Sequence, residues 1–542
     1  MLAPLLLTVL LSAAPALAAS KYVPQKSTCP SETLVRAASG LSDDEETYRV
    51  SRKAVADVAL KSWLASTNSG FGTSGELPTV AITTSGGGYR SLLSGAGVIQ
   101  ALDSRDSNLS TSGLYQSMTY QAGLSGGGWL LSSLAGNNYP LVSYLLENVW
   151  HEAFRDSLLD PEFLLAFVAY AEVVTDIAEK EAAGYDTTLI DAYGRLLSYQ
   201  LLEGSDGGVS TTMSGITSKS MFTSYSVPYP VITSLGTKVW EGECTPGPNA
   251  TTYEIHPYEF GSWDADVSAF VKTEYLGTSM NGGKATGLCT TNYDNLGYVA
   301  GSSSNLFNEA CLSVPAAENS STNLLEDLAA LLDQVHEVTT SDLYATYPNP
   351  FYNYKSPTGY FNIANDVSAQ DHLSLVDGGE ALQNNPIFPF LQPARNISVI
   401  LVNDNSADLS TNYPNGSEIL TTYVQATNNA HLTLMPYIPP VATFISEGLN
   451  SRATFFGCNA TDKITIVYLP NAEYTFASGV PTSQLVYSET EQDEMVANGN
   501  MIATQGDKDG WATCLGCAIM MKSGNSLPSA CTACFEEYCY YE

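Results

Sequence analysis

Apolar and polar positions alternate in short blocks along most of this chain. Five runs, TVAITT (79–84), SMTYQA (117–122), LSLV (373–376), ISVILV (397–402) and ITIVYL (464–469), are rich in apolar and β-branched residues. Such brief runs bounded by turn residues predict buried strands. Helical patterns lie between them. In 90–104, Leu92, Leu93, Ala96, Ile99 and Leu102 recur on one face, and 129–136 and 189–204 look similar. Strands alternating with helices predict an α/β sandwich around a mostly parallel central sheet. The stretch 158–176 is apolar on most sides, which suits a buried cap helix better than a lid that docks on lipid. Its core, FLLAFVAYAEVV, is short and carries Glu172, so it does not predict a membrane span. We find no repeat, low-complexity linker or composition break. One large domain with helical insertions fits 19–542 better than several small ones, despite the length of 542 residues.

Three of the predicted strands run into glycine-rich polar motifs: Gly86-Gly87-Gly88-Tyr89-Arg90, Gly123-Leu124-Ser125-Gly126-Gly127 and Asp377-Gly378-Gly379. In open α/β sheets, reactive groups gather at the carboxyl ends of strands. The second motif fits the G-x-S-x-G elbow, in which small neighbours let a serine stand on a sharp strand-to-helix turn. A serine hydroxyl attacks a carbonyl once a base takes its proton. The oxyanion that forms needs fixed N–H donors. Bare amides at Gly87 and Gly88, at the positive end of the next helix, suit that role, with Gly126 as helper. Asp377, flanked by glycines, can be the base. A phosphate loop is disfavoured because the P-loop lysine and the G-x-G-x-x-G spacing are both missing. The rival is a Ser–His–Asp triad in the order Ser125, Asp377, His431. No motif surrounds His431, in NNAHLTLMPY, and a polar loop role suits it better. The remaining histidines are His151, His256, His336 and His372. Asp377 could also be a turn residue. Arg90 could be a surface or capping charge, but a helix N-terminus is a poor place for a structural cation.

The segments SGGGYRSLLSGAG, GLSGGGW and LVDGGEALQNNP, supported by DAYGRLLSYQLL, together resemble the fungal secreted lysophospholipases, or phospholipases B. That family is related to the cytosolic phospholipase A catalytic domain and, more distantly, to the patatins. The resemblance spans nearly the whole chain after its first residues. It implies a patatin-like or cytosolic-phospholipase-like fold and a Ser–Asp dyad without histidine. Ser125 would be the nucleophile, Asp377 the base, Gly87 and Gly88 the oxyanion hole, and Arg90 a contact to the substrate phosphate. It implies hydrolysis of acyl esters in lysophospholipids and phospholipids, with acyl transfer as a side reaction. The substrate would be met as micelles or a membrane surface. No cofactor or metal is implied, and no calcium-binding lipid domain precedes the motifs.

Charge and processing signals narrow the setting. The formal net charge is −34, from 22 Lys+Arg against 56 Asp+Glu. That excludes nucleic acid as a partner and disfavours anionic membranes. The charge and the histidine-free dyad together predict an activity optimum on the acid side of neutral, where protonation eases self-repulsion. The opening MLAPLLLTVLLSAAPALAAS reads as a secretory signal, 1–18, cleaved near Ala18. Six N-x-[ST] sequons, at Asn108, Asn249, Asn319, Asn396, Asn415 and Asn459, fit a secreted glycoprotein. The polar C-terminus lacks a lipid-anchor signal, so the mature chain is expected free or loosely held in a cell wall. Ten cysteines make an even count: Cys29, Cys244, Cys289, Cys311, Cys458, Cys514, Cys517, Cys531, Cys534 and Cys539. The two C-x-x-C pairs suit either a four-cysteine zinc site or disulfides. The secretory signal favours disulfides, with unassigned partners. A secreted, non-catalytic lipid-binding glycoprotein remains the alternative from another class.

Overall fold

A computed structural model of the chain describes residues 20–155, 157–158, 166–311, 324–357, 366–429 and 432–542. The principal sheet has 12 strands. In chain order they are β1 (Val35–Ala37), β2 (Val80–Thr84), β3 (Met118–Gly123), β4 (Tyr229–Gly236), β5 (Thr252–Ile255), β6 (Glu259–Ser262), β7 (Ala269–Lys272), β8 (Ala345–Pro348), β9 (His372–Val376), β10 (Val399–Asp404), β11 (Thr454–Phe456) and β12 (Thr465–Pro470). Their spatial order is β11-β12-β10-β2-β3-β4-β5-β6-β7-β1, with β9 pairing both β8 and β4.

The centre is parallel. β12, β10, β2, β3 and β4 run in one direction, with Leu401 opposite Ile82 and Thr83 opposite Ala122. Every residue of β2, β3, β10 and β12 is buried, as expected of strands covered on both faces. This is the expected α/β architecture. Beyond β4 the sheet turns antiparallel, through β5, β6, β7 and β1 on one path and β9 and β8 on another. β9 is therefore an antiparallel strand, although its sequence reads like its parallel neighbours.

The helices that matter here are α1 (Asp43–Thr67), α2 (Gly88–Leu102), α3 (Ser125–Gly136), α4 (Ala166–Ala182), α5 (Leu189–Leu201), α6 (Leu296–Ser302), α7 (Ser417–Asn428), α8 (Glu489–Thr504), α9 (Trp511–Met520) and α10 (Ala530–Tyr538). Polar side chains set several starts. Ser42 caps α1 by accepting from the Glu45 amide, and Thr188 with Asp191 forms a reciprocal capping box at α5. One apolar core joins sheet and helices. Within it Arg395 bonds Glu45 of α1 at 2.8 Å and Glu254 of β5 at 2.7 Å, so the buried charges compensate one another.

The stretch read as apolar on most sides is one-sided where it is described. In α4, Ala169, Val173, Asp176, Ile177 and Lys180 are buried while Val168, Ala171 and Glu172 are exposed. Lys180 is neutralised by Asp191, and Asp176 by Arg195 at 2.8 Å. Residues 159–165 of that stretch lie outside the described residues. So do residues 1–18, read above as a secretory signal.

Candidate active site

β2, β3 and β9 each end in one of the three glycine-rich motifs, and the fold brings all three together. β3 ends at Gly123, Leu124 is extended, and Ser125 opens α3 with φ 49°. A non-glycine residue in that left-handed region is uncommon and costs roughly 1–2 kcal/mol. It is tolerated because the turn is packed from both sides. A Cβ on Gly126 would lie 2.1 Å from the Gly88 carbonyl oxygen, and one on Gly127 would lie 2.2 Å from that of Thr84. Only glycine allows α3 to approach the Gly86–Gly88 loop this closely.

Ser125 is 7% exposed. Its side chain interacts with Asp377, which follows β9 and is 4% exposed. Burial pushes the Asp377 carboxyl up to about 6, while a hydrogen bond from the Gly379 amide (2.7 Å) and the interaction with the Ser125 side chain hold it lower than burial alone would. The group is ionised at neutral pH and is a stronger base than an exposed aspartate.

Gly87 and Gly88 have φ 137° and 58°, and they begin α2. Among the described residues, neither amide donates a hydrogen bond, nor does that of Gly126. Free N–H groups at a helix start, beside a serine, can donate to a developing oxyanion. Arg90 is 1% exposed and lies under this loop. Nε donates to the Asn405 carbonyl at 2.9 Å and Nη1 to that of Val480 at 2.6 Å. Nη2 has no partner among the described residues and would sit 2.6 Å from a Cβ on Gly87. Burial pulls the guanidinium down to about 10, so it stays charged at neutral pH. Arg90 is thus neither a surface charge nor a cap.

Two residues to which the sequence reading assigned no role, one of them (Asn384) inside the LVDGGEALQNNP segment, hold these parts in register. Ser303, just after α6, accepts from the Ser125 amide at its Oγ (3.0 Å), and its carbonyl accepts from Gly378 N–H (3.2 Å). Asn384 accepts from Gly86 N–H at Oδ1 (3.1 Å) and donates Nδ2 to the Gly86 carbonyl (3.3 Å) and Ser406 Oγ (2.8 Å). Both are common residue types acting on main-chain groups, which leaves no charge or spacing signal in the sequence.

None of the four described histidines bonds to Ser125 or Asp377. His151 pairs with Asp493, His256 with Tyr229, His336 with Glu181 and His372 with Asp186. His431, the proposed triad member, lies outside the described residues.

All ten cysteines are in disulfides: Cys29–Cys289, Cys244–Cys311, Cys458–Cys539, Cys514–Cys534 and Cys517–Cys531. The two C-x-x-C pairs therefore bridge α9 to α10, while Cys539 reaches the distant Cys458. Of the sequons, Asn108, Asn249, Asn396 and Asn459 are exposed. Asn415 is half-buried and accepts from the Ser417 amide at 2.8 Å, and Asn319 lies outside the described residues.

Residues 80–542 match the model of the family described as the lysophospholipase catalytic domain. Lysophospholipase 2 of Aspergillus fumigatus is 37% identical over 558 residues, taking in 96% of this chain and 93% of that protein. The probable lysophospholipase 3 of Schizosaccharomyces pombe is 35% identical over 551 residues, covering 96% of this chain and 82% of the other. Among solved structures, human GIVD cytosolic phospholipase A2 superposes with a TM-score of 0.70 at 18% identity, over 91% of this chain and 69% of that one. At that identity the likeness concerns the fold.

Proposed function

The chain belongs to the lysophospholipase catalytic-domain family, and on that premise we propose that it is a secreted lysophospholipase or phospholipase B working through a Ser125–Asp377 dyad. It releases free fatty acid and a glycerophospho-alcohol from lysophospholipids presented as micelles or membrane surfaces. The observation that carries this reading is the strained Ser125 at a strand–helix elbow, interacting with a buried carboxylate beside two free glycine amides.

Asp377 takes the Ser125 proton as Oγ attacks the acyl carbonyl. The amides of Gly87 and Gly88 hold the oxyanion. On collapse, the proton passes from Asp377 to the departing glycerol oxygen, leaving an acyl-serine. Asp377 then takes a proton from water, whose attack frees the fatty acid and returns the proton to Ser125. Supporting the secreted setting are the five disulfides.

The test is acyl release by purified protein from monoacyl and diacyl phospholipids. Turnover on the monoacyl lipid is expected, and its absence in folded, disulfide-bonded protein favours a lipid-binding glycoprotein.

Arg90→Lys should not behave as a conservative change. A fork engaging two carbonyls and presenting Nη2 cannot be reproduced by an ammonium. If Nη2 meets the substrate phosphate, the loss is larger on phospholipid than on a simple aryl ester. Equal losses assign Arg90 to shaping the glycine loop alone.

The pH dependence follows from Asp377. The base acts only when ionised, and its folded-state value is raised to about 6, so kcat should fall as pH drops through about 6. This limb rules out an optimum well below about 6 and so narrows the charge-based expectation of an acid-side optimum towards neutrality. A pH–rate profile that stays flat well below this value removes Asp377 as the base.

A further inference from the structure

Glu380 lies one turn beyond Asp377, and its amide bonds back to the Asp377 carbonyl at 3.3 Å. Its side chain meets Asn308, a fully buried residue of the loop that leaves α6. Asn308 Nδ2 donates to Glu380 Oε2 at 2.8 Å and to the Cys244 carbonyl at 3.0 Å. Two acceptors on one NH₂ group fix which end of the amide is nitrogen. Two atoms of this pair are then left over. Asn308 Oδ1 and Glu380 Oε1 are both buried and without a partner among the described residues.

An ionised carboxylate and an amide oxygen are both acceptors and cannot satisfy one another. One proton on Glu380 Oε1 would remove both vacancies by letting the acid donate to Asn308 Oδ1, whose own Nδ2 already meets the same carboxyl group. The surroundings favour that form. The titratable groups facing Glu380 are Asp377, Glu309 and Tyr344, and none is a cation. Burial pushes Glu380 up to about 8.

We propose that Glu380 is a positioning residue, a neutral carboxylic acid paired with Asn308, whose loss of its proton sets the alkaline limit of turnover. The inference rests on Asp377 being the base. Two main-chain bonds anchor the Asp377 loop on the segment after α6: Asp377 N–H to the Asn305 carbonyl at 2.9 Å and Gly378 N–H to that of Ser303. The Asn308–Glu380 pair is a third tie. Ionising Glu380 sets two bare acceptors and a second negative charge against this loop, and Asp377 shifts from Ser125.

The experiment is a kcat–pH profile on lysophosphatidylcholine micelles at low and high ionic strength, for wild type, Glu380→Gln, Asn308→Ala and Asp377→Asn. A glutamine at 380 donates to Asn308 Oδ1 and accepts from Nδ2 at every pH. Wild type is expected to lose activity as pH rises through about 8, with no shift on adding salt. Glu380→Gln should keep the acid limb and lose the alkaline one, with kcat at the optimum within about tenfold of wild type. An alkaline limb unchanged in Glu380→Gln overturns the proposal, as does a wild-type limb that salt moves, which marks surface charge as its cause. If Glu380→Gln does not fold, Asn308→Ala decides. It leaves the acid but removes its acceptor, so the limb must move by at least about half a pH unit, and an unmoved limb overturns the proposal. Near-wild-type turnover in Asp377→Asn rejects the dyad itself. That failure is distinct from an inactive Asp377→Asn beside an unaltered limb in Glu380→Gln.

Discussion

Ser125→Ala is expected to abolish acyl-ester hydrolysis while leaving the fold intact. The change removes the attacking oxygen and keeps the Gly87 and Gly88 amides, so only binding and oxyanion stabilisation persist. Losses of this kind in serine hydrolases are on the order of 10⁴–10⁶ in kcat. The fold should tolerate the change because Ser125 already bears the left-handed strain at φ 49°, and alanine adds none. The Ser125 main chain, which donates to Ser303, is unaltered. The measurement is monoacyl turnover beside thermal unfolding, with an alkyl fluorophosphonate as a covalent probe of the hydroxyl. Wild type should carry the phosphonyl adduct on Ser125, and the variant should carry none. Near-wild-type turnover in a well-folded variant would remove Ser125 from the mechanism.

Asp377→Asn should be about as damaging as the serine change, because the two groups act as a unit. Asparagine preserves shape, and its Oδ1 still accepts from Gly379 N–H, so the loop stays anchored. What is lost is a carboxylate able to take the Ser125 proton. The double variant should therefore fall little below either single one. His431→Ala, measured alongside, should keep most activity. A fall of His431→Ala to the Ser125→Ala level would establish a Ser–His–Asp triad and leave Asp377 as an orienting group.

The strands that carry the site were legible in the chain. VAITT and HLSLV are dense in β-branched and aliphatic residues, MTYQA is less so, and all three run into glycine-rich motifs; the structure places β2, β3 and β9 there. The polar residues at their ends were legible for the same reason. A serine between glycines, a triple glycine and Asp-Gly-Gly are local constraints on backbone conformation, and local constraints are written in consecutive residues. The even cysteine count and the sequons were readable in the same way.

What the chain could not show was anything fixed by pairing across long separations. β9 reads like a parallel strand, but its direction depends on Leu375 meeting Gly236. Cys29 joins Cys289 across 260 positions, a choice no spacing rule dictates. Ser303 and Asn384 are ordinary polar residues until the fold sets them against the amides of Ser125 and Gly86. Arg90 read as a reachable cation, and only packing puts it beneath the glycine loop. The raised affinity of Asp377 for its proton has the same origin. A residue's type sets its ordinary chemistry, but desolvation and hydrogen-bond partners come from elements distant in sequence, and they exist only once the sheet has closed around them.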